Sequence, residues 1–378
     1  MWCFIIRISS FYAPASRQLI EDRTIGLALF VDLFFLISGF VIAYVYFDRI
    51  GTRKQLATFF QRRVGRLVPL HWLTLALSIG LYALIAGLGL QVNRPPTFSV
   101  ECITGTALLV HAIAPCGGVI FNGVSWSISA EIAMYLAFPF FIVVAKFWKP
   151  APLALAAIAA TIIGTAIFES GATLLTYDWT EMSPVARATP SFLLGISLYQ
   201  YRTTMRLVPA ADIIMGISLV ILAIMMLNGA PTIASLFMVW IVGALAVAAD
   251  LKEKPKRIFK TLSPLGQLTY SIYMWHSLII LILMNGIGDK LLHASPALMF
   301  AIMVVCYVTI LLVSYVSFFY IETPARIWVD NLGRNTNQAR QDHDKGPGDK
   351  HQLADIAKIS PRQLEAREKT SHPKLRPE

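Results

Sequence analysis

The sequence predicts an all-α membrane protein, a polytopic transmembrane helical bundle of about nine to ten spans. Of its 378 residues, 56% are hydrophobic and only 14% are charged, and the mean hydropathy is +0.62. This composition lies outside the range of soluble globular domains. Apolar windows of about 20 residues, long enough to cross a bilayer, recur along the chain. They lie at 25–47, 69–90, 128–147, 151–169, 188–203, 209–227, 231–249, 270–288 and 298–321.

The apolar windows end before residue 328, so residues 1–327 are predicted to form one integral-membrane domain. Residues 328–378 have mixed charge and almost no aromatic side chains, so they cannot bury enough apolar area to fold alone. They are predicted to be a disordered cytoplasmic tail with a short helix around 351–368. Residues 1–13 are too short to cross and lack the features of a secretory signal. We expect them to be the outer end of a truncated first helix, whose restoration would give ten spans.

The net charge of +10 is spread along the ends of the spans, which argues against a nucleic-acid partner and for contacts with membrane lipids. By the positive-inside rule, the most basic segments lie in the cytoplasm. The loops 91–125 and 170–187 then lie outside, provided that the apolar stretch 102–114 does not cross. That stretch is short and lies in a loop with glycine and proline, so we predict that it is re-entrant or interfacial. The basic segments are 49–66, Lys146 with Lys149, Arg202 with Arg206, and 252–260.

The four cysteines show neither a CxxC motif nor a Cys/His spacing typical of zinc, so no metal site is predicted. Cys102 and Cys116 lie in the same predicted external loop. Two interpretations are open for this pair. They are either two buried thiols or a disulfide that braces the loop in an oxidising compartment.

The span predicted at 25–47, which contains FVDLFFLISGFVI, carries a carboxylate in its outer half. A spanning helix seldom tolerates an acid without a partner. Asp32 and the central Ser38 are therefore candidate substrate-binding residues. The alternative is a packing seam in which a neighbouring helix satisfies Asp32, while Ser38 and Gly39 allow close helix approach.

Three arginines form a dense cationic cluster beside the second span. Arg62, Arg63 and Arg66 lie in a predicted basic loop just before Pro69, which is expected to begin the span. Guanidinium groups suit phosphates, so these arginines are candidates for holding the phosphate groups of a nucleotide. The alternative is ordinary topogenic charge in contact with lipid headgroups.

A polar stripe runs down the helix predicted within NGVSWSISAEIAMYLAFPFF. Ser127, Glu131 and Tyr135 recur every four residues and therefore share one face. Because this helix starts outside, Glu131 is expected near the outer surface, on the opposite side of the membrane from the arginines. Its carboxylate is suited to holding or relaying a proton, or to accepting a hydrogen bond from a sugar hydroxyl. The alternative is a buried interhelical hydrogen-bond network.

The segment LGQLTYSIYMWHSLII places Ser271, Tyr273 and His276 on one helix. An intramembrane imidazole is a candidate functional group, because it can move a proton near neutral pH. The alternative is a structural histidine bonded to a neighbouring hydroxyl. Weaker markers are Arg187 with Gly195, and Glu322 with Pro324 and Arg326.

Taken in order, six motifs resemble those of the acyltransferase 3 family of membrane O-acyltransferases. They are FVDLFFLISGFVI, RRVGRLVPLHW, WSISAEIAMYLAFP, FLLGISLY, LTYSIYMWH and IETPARIW. Any one motif is weak, but the set is specific. The resemblance covers about residues 26–328.

This resemblance implies a helical enzyme that takes an acyl group, commonly acetyl, from cytoplasmic acyl-CoA to a hydroxyl of a carbohydrate or lipid-linked glycan. Acyl-CoA is then the donor substrate, no cofactor is bound, and the location is a bacterial inner membrane. Arg63 and Arg66 match the family's arginine motif and would hold the CoA phosphates. Glu131 and His276 become the candidate catalytic residues. The candidate residues for binding substrate or CoA are Arg62, Arg63, Arg66, Asp32, Ser38, Tyr135, Ser271 and Tyr273.

One departure concerns the first helix of the family, which carries an arginine and, ten residues later, a histidine thought to act in catalysis. Here the corresponding region reads MWCFIIR, and no histidine precedes His71. We therefore expect either a truncated start or the loss of the usual base, which would make the chain an inactive homologue. A further alternative is a transporter or flippase for a lipid-linked sugar, but the inverted repeats with paired broken helices typical of such proteins are not seen in the sequence.

Overall fold

The computed structural model describes residues 29–90, 95–114, 116, 120–169, 183–228, 232–251 and 266–332, and these ranges contain helices and no strands. The chain divides into two compact units, Met1–Arg326 and Ile327–Glu378, and the second contributes only residues 327–332 to the described ranges. The all-α prediction is confirmed. The predictions for residues 1–13, for the 252–260 run and for the tail from residue 333 onward lie outside the described residues.

Each predicted apolar window coincides with a helix. Numbered in chain order, the helices are α1 Phe30–Tyr46, α2 Arg53–Gly87, α3 Val100–Ala107, α4 Ser125–Phe147, α5 Ala151–Glu169, α6 Pro184–Gln200, α7 Arg202–Met205, α8 Ala211–Leu227, α9 Thr232–Asp250, α10 Thr269–Ile280 and α11 Pro296–Ser317. Helix α10 continues as a π-helix over Leu281–Leu291, and α11 continues as a π-helix over Phe318–Glu322.

Four helices in the described ranges are long and apolar enough to cross a membrane, namely Arg53–Gly87, Ser125–Phe147, Thr269–Leu291 and Pro296–Leu332. Shorter apolar helices are Phe30–Tyr46, Ala151–Ala166, Ala211–Leu227 and Ala234–Asp250. Several of these helices expose large apolar side chains on their outer faces, such as Ile217 and Val220 of α8 and Val308 and Leu312 of α11. An apolar exterior of this extent is the surface that a lipid bilayer covers.

Helix α2 begins earlier than predicted. The prediction that residues 49–66 form a loop and that Pro69 begins a span is wrong, because one continuous helix begins at residue 53 and contains Pro69. A capping box starts it early: Gln55 N donates to Thr52 Oγ1, and Thr52 N donates to Gln55 Oε1. The three arginines therefore lie on a helix of about 52 Å rather than in a loop.

Among the described helices, α1 and α6 make the most extensive contact. A Cβ atom built at Gly39 would lie 2.1 Å from the carbonyl oxygen of Phe192, and one built at Gly195 would lie 2.1 Å from that of Leu36. Glycine at these two positions is thus what allows the two backbones to touch. The seam holds α1, the carrier of Asp32 and Ser38, at the centre of the bundle.

The described part of the segment between α2 and α4 contains no helix long enough to cross, and its prediction as re-entrant or interfacial stays a prediction. Helix α3 has only 8 residues, too few to cross, and its C-terminal end reaches the middle of α2. There His71 Nε2 donates to Thr106 O at 2.8 Å, and Trp72 Nε1 donates to Ala107 O at 2.8 Å. Of the two interpretations left open for Cys102 and Cys116, the structure shows the disulfide, with a Cα–Cα distance of 5.1 Å.

Candidate active site

A buried polar cluster joins α1 and α4 at the centre of the bundle. Ser38 Oγ donates to Glu131 Oε1 at 2.8 Å, and the hydroxyl of Tyr135 donates to the same oxygen. All three side chains are buried. The other carboxylate oxygen, Glu131 Oε2, is buried and has no hydrogen-bond partner among the described residues. Half of this carboxylate is therefore held in place while the other half remains available to a ligand.

Arg63 of α2 lies directly beside this cluster. Its guanidinium carbon lies 5.1 Å from the ring centroid of Tyr46 and 5.8 Å from that of Tyr135. One nitrogen, Nη2, donates to the Tyr46 hydroxyl at 3.3 Å, whereas the buried Nε has no partner among the described residues. A guanidinium packed between two aromatic rings keeps its charge and its direction, so Arg63 presents a fixed N–H donor within the site.

Arg63 and Glu131 thus lie in one cluster, whereas the sequence analysis placed them on opposite sides of the membrane. The difference follows from α2, because the helix extends through the arginines and packs against α1 and α4. At the level of the arginines, a residue of α2 that faces the interior of the bundle contacts Tyr135, which lies one turn after Glu131 on α4. Arg62 and Arg66 have exposed side chains on the same helix.

A second buried carboxylate lies where α2, α10 and the π-helix that follows α11 meet. Glu322, at the end of the π-helix that follows α11, is 4% exposed and accepts a hydrogen bond from the fully buried Ser271. The preceding residue, Tyr270, donates its hydroxyl to Leu67 O at 2.5 Å. In the sequence Glu322 is only a weak marker, because its buried position and its partner on α10 depend on the tertiary fold.

Asp32 forms an ion pair with Arg187 of α6, and both side chains are buried. Arg187 Nη2 lies 2.8 Å from Asp32 Oδ2, and Nε donates to Oδ1 at 3.4 Å. The guanidinium carbon also lies 5.0 Å from the ring centroid of Trp126. The structure thus gives Asp32 the partner that the packing-seam alternative requires, and its role in binding substrate stays a prediction.

The other predicted residues of α10 form a network with the start of α4. Ser127 Oγ donates to the Tyr273 hydroxyl at 2.7 Å, and that hydroxyl donates to Val124 O at 3.0 Å. His276 Nδ1 lies 2.6 Å from Tyr273 O. Because a carbonyl oxygen only accepts, this nitrogen carries the proton, and Nε2 is the basic nitrogen of His276.

His111 lies in the segment between α2 and α4 and was not among the predicted site residues. Its Nδ1 faces Gly105 O at 3.4 Å, and its Nε2 accepts from the Ser125 hydroxyl at 3.3 Å. Ser129 of α4 fixes the same segment by donating to Leu109 O at 2.6 Å. No motif marks His111, because its environment depends on how the segment folds back against α4.

Burial lowers the pKa of His111 from its ordinary value of 6.5 to about 4, since the charged imidazolium is poorly solvated there. The unfolded chain binds a proton near pH 6.5, whereas the folded chain binds it only near pH 4. The stability that this histidine contributes is therefore complete above pH 6.5 and is lost as the pH falls from 6.5 to 4. Replacing His111 by Gln should make the melting temperature depend less on pH between pH 7.5 and 5.

The matched control for this pH experiment is His293→Asn, at an exposed position with positive φ that asparagine tolerates. This variant should retain the acid sensitivity of the unmodified chain. If His111→Gln were as acid-sensitive as the control, the buried neutral imidazole would not be the source of the effect.

Within the described ranges, no group of three or more His, Cys, Asp or Glu side chains is arranged to hold a metal ion. The ionisable groups of the interior are instead carboxylates, imidazoles and arginines in contact with hydroxyls. Fold and site together define an integral-membrane helical protein whose interior carries a cluster suited to proton transfer and anion binding.

This chain belongs to the acyltransferase 3 family, because the family model described as an acyltransferase domain matches residues 7–318. The family predicted from the six motifs is thereby confirmed, and membership supports an acyltransferase. No solved structure matches the chain.

Two curated relatives are similar to this chain. Acyltransferase MdmB of Streptomyces mycarofaciens is 35% identical over 140 residues, a match that covers 33% of this chain and 33% of MdmB. The chain thus spans about a third of the length of that relative. Exopolysaccharide production protein ExoZ of Rhizobium meliloti (strain 1021) is 27% identical over 286 residues, which cover 74% of this chain and 84% of ExoZ.

Proposed function

We propose that this protein moves an acyl group, expected to be acetyl, from cytoplasmic acyl-CoA to a hydroxyl of a cell-surface or lipid-linked glycan. It does so from a bacterial inner membrane, which it crosses nine to ten times. Family membership supports the acyl transfer, and the name of ExoZ, an exopolysaccharide production protein, supports a carbohydrate acceptor.

The observation that carries this proposal is the half-satisfied Glu131 beside Arg63. A hydroxyl is too weakly acidic to attack a thioester without a base that takes its proton. Glu131 Oε2, buried and without a partner among the described residues, is suited to accept that proton, while Ser38 and Tyr135 hold the other oxygen. Arg63 Nε, also buried and without such a partner, is suited to stabilise the oxyanion that forms on the thioester carbonyl.

The reaction balances with these groups alone. The acceptor oxygen bonds to the acyl carbon and passes its proton to Glu131, and the carbon–sulfur bond then breaks. The CoA thiolate leaves and takes up the proton, so the carboxylate returns to its starting state. His276, with its basic Nε2, is the candidate for passing protons between this site and the acceptor side.

The arginines of α2 account for donor binding in this proposal. Arg66 is exposed and Arg63 is half-buried, so together they offer a cationic path from the solvent to Glu131. The phosphate groups of CoA suit guanidinium forks. Arg62, exposed on the same turn of α2, is a candidate for the outermost phosphate contact.

Replacing both Arg63 and Arg66 by Ala should raise the apparent KM for acyl-CoA by about 100-fold, because two charge-assisted contacts with the donor are lost, and should also lower kcat, because Arg63 is the proposed oxyanion donor. Steady-state transfer of labelled acetyl from acetyl-CoA to glycan in membrane vesicles measures this. The control is Arg53→Ala at the exposed start of α2, which should leave KM unchanged. Equal crosslinking of labelled acyl-CoA to the double variant and to the control would contradict the proposed donor site.

A further inference from the structure

We propose that the C-terminal ends of α1, α4 and α6 together form a binding site for the headgroup of an anionic phospholipid. Three cations lie at this junction: Lys146 in the last turn of α4, Lys149 just after that helix, and Arg202 at the start of α7. These three residues are called the cationic patch below. The site does not depend on the acyl transfer proposed above, and it lies at the end of the bundle that is predicted to be cytoplasmic.

The two lysines of the cationic patch are held against aromatic rings of other segments. Lys146 Nζ lies 6.0 Å from the ring centroid of Phe47, which follows α1, and Lys149 Nζ lies 4.7 Å from that of Tyr201, which follows α6. A cation over the face of an aromatic ring is attracted by it. The rings therefore draw two exposed ammonium groups toward one place, where lysines without such contacts would move freely in solvent.

The third cation is fixed by the end of α6. The guanidinium carbon of Arg202 lies 4.2 Å from the ring centroid of Tyr199, and its Nη1 donates to Tyr199 O at 3.1 Å. An acid contacts the same ring, since the Tyr199 hydroxyl donates to Asp48 Oδ2 at 2.7 Å. Within the described ranges, however, no ion pair joins the cationic patch to an acid. Three positive charges held together in this way attract an anionic group.

Exposed apolar side chains place the cationic patch at the surface of the bilayer. Phe147 and Trp148, which lie between the two lysines, are 89% and 58% exposed. Large aromatic side chains of this kind lie at the level of the lipid headgroups. Preceding them on α4, the exposed Leu136, Phe140 and Val143 follow the spacing of one helix face and lead to Phe147. A hydrocarbon chain can lie along this apolar stripe while the phosphate of the same lipid reaches the cations, so the site fits a phospholipid better than a soluble anion.

The test replaces Lys146, Lys149 and Arg202 together by Gln and follows thermal unfolding of the detergent-solubilised protein as dioleoyl phosphatidylglycerol is added. This anionic lipid should raise the melting temperature of the unmodified protein more than zwitterionic dioleoyl phosphatidylcholine does, and added salt should weaken the difference. In the triple variant the half-saturating concentration of phosphatidylglycerol should rise about 100-fold, because each cation near an anionic lipid contributes a factor of about five.

The matched control replaces Arg53, Lys54 and Lys290 by Gln, which removes three exposed positive charges elsewhere and should leave the response unchanged. Tyr201→Leu removes the ring under Lys149 but no charge, so it should weaken the response by a smaller factor, and it provides the test if the triple variant does not fold. Equal responses to the two lipids, or a normal response of the triple variant, would overturn the proposal. Stabilisation by coenzyme A alone that the triple variant loses would also overturn it, because the cationic patch would then belong to the donor site.

Discussion

Replacing Glu131 by Gln is expected to lower kcat for acyl transfer by about 10²- to 10⁴-fold, the usual contribution of a general base. The amide keeps an oxygen that accepts from Ser38 and Tyr135, so the cluster retains its shape. What is lost is the capacity of the second oxygen to take a proton. The KM for acyl-CoA should therefore stay nearly constant, in contrast to the variants of the donor site.

The measurement is single-turnover transfer of labelled acetyl to glycan, with donor binding followed in parallel. Glu101→Gln, an exposed acid on α3, is the matched control and should retain full activity. Tyr135→Phe should give an intermediate loss, since it removes one of the two donors that hold Oε1. If Glu131→Gln transferred acetyl at the normal rate, the base would lie elsewhere, and Nε2 of His276 would be the next candidate.

Replacing Gly39 or Gly195 by Ala is expected to destabilise the folded protein by at least about 3 kcal/mol, the upper end of the usual cost of overpacking. In each case the new Cβ would lie 2.1 Å from a backbone carbonyl oxygen of the facing helix. A backbone atom cannot rotate away as a side chain can, so α1 and α6 would have to separate. Such a separation would also pull Asp32 away from Arg187.

Thermal unfolding of the detergent-solubilised protein and the yield of monodisperse material measure this effect. Gly216→Ala on α8 is the matched control, because a Cβ there meets nothing within 4 Å. Alanine is favoured over glycine in a helix interior by about 1 kcal/mol, so this control should be neutral or slightly stabilising. Normal melting of Gly195→Ala would mean that the two helices pack less closely than the structure places them.

The sequence predicted the helices well because their causes are local. A continuous apolar run of sufficient length forms a helix in a membrane, because a helix satisfies the backbone polar groups within the segment itself. The polar stripe of α4 was also predicted, because Ser127, Glu131 and Tyr135 follow the helical period of that single segment. The short stretch 102–114 was predicted from its length not to cross, and the structure gives it only the 8-residue helix α3.

The start of α2 was predicted wrongly for a similarly local reason. A proline after a basic stretch usually marks the beginning of a span, but the capping box at Thr52 starts the helix earlier, and the bundle tolerates Pro69 within it. Because the helix starts earlier, Arg63 lies beside Tyr135 and not in the predicted solvent-exposed loop.

By itself, then, the sequence determined that this is an all-helical membrane protein of the acyltransferase 3 family, and it supplied the residues that remain candidates for the site. Only the tertiary structure decided which of those residues meet. Asp32 and Arg187 are 155 positions apart, and Ser38 and Glu131 are 93 apart. Hydropathy and helical period report on neighbours within a few turns, whereas these contacts depend on which helix faces are close-packed. The tight seam at Gly39 and Gly195 and the length of α2 set those faces, and thereby bring a carboxylate and a guanidinium group into one site.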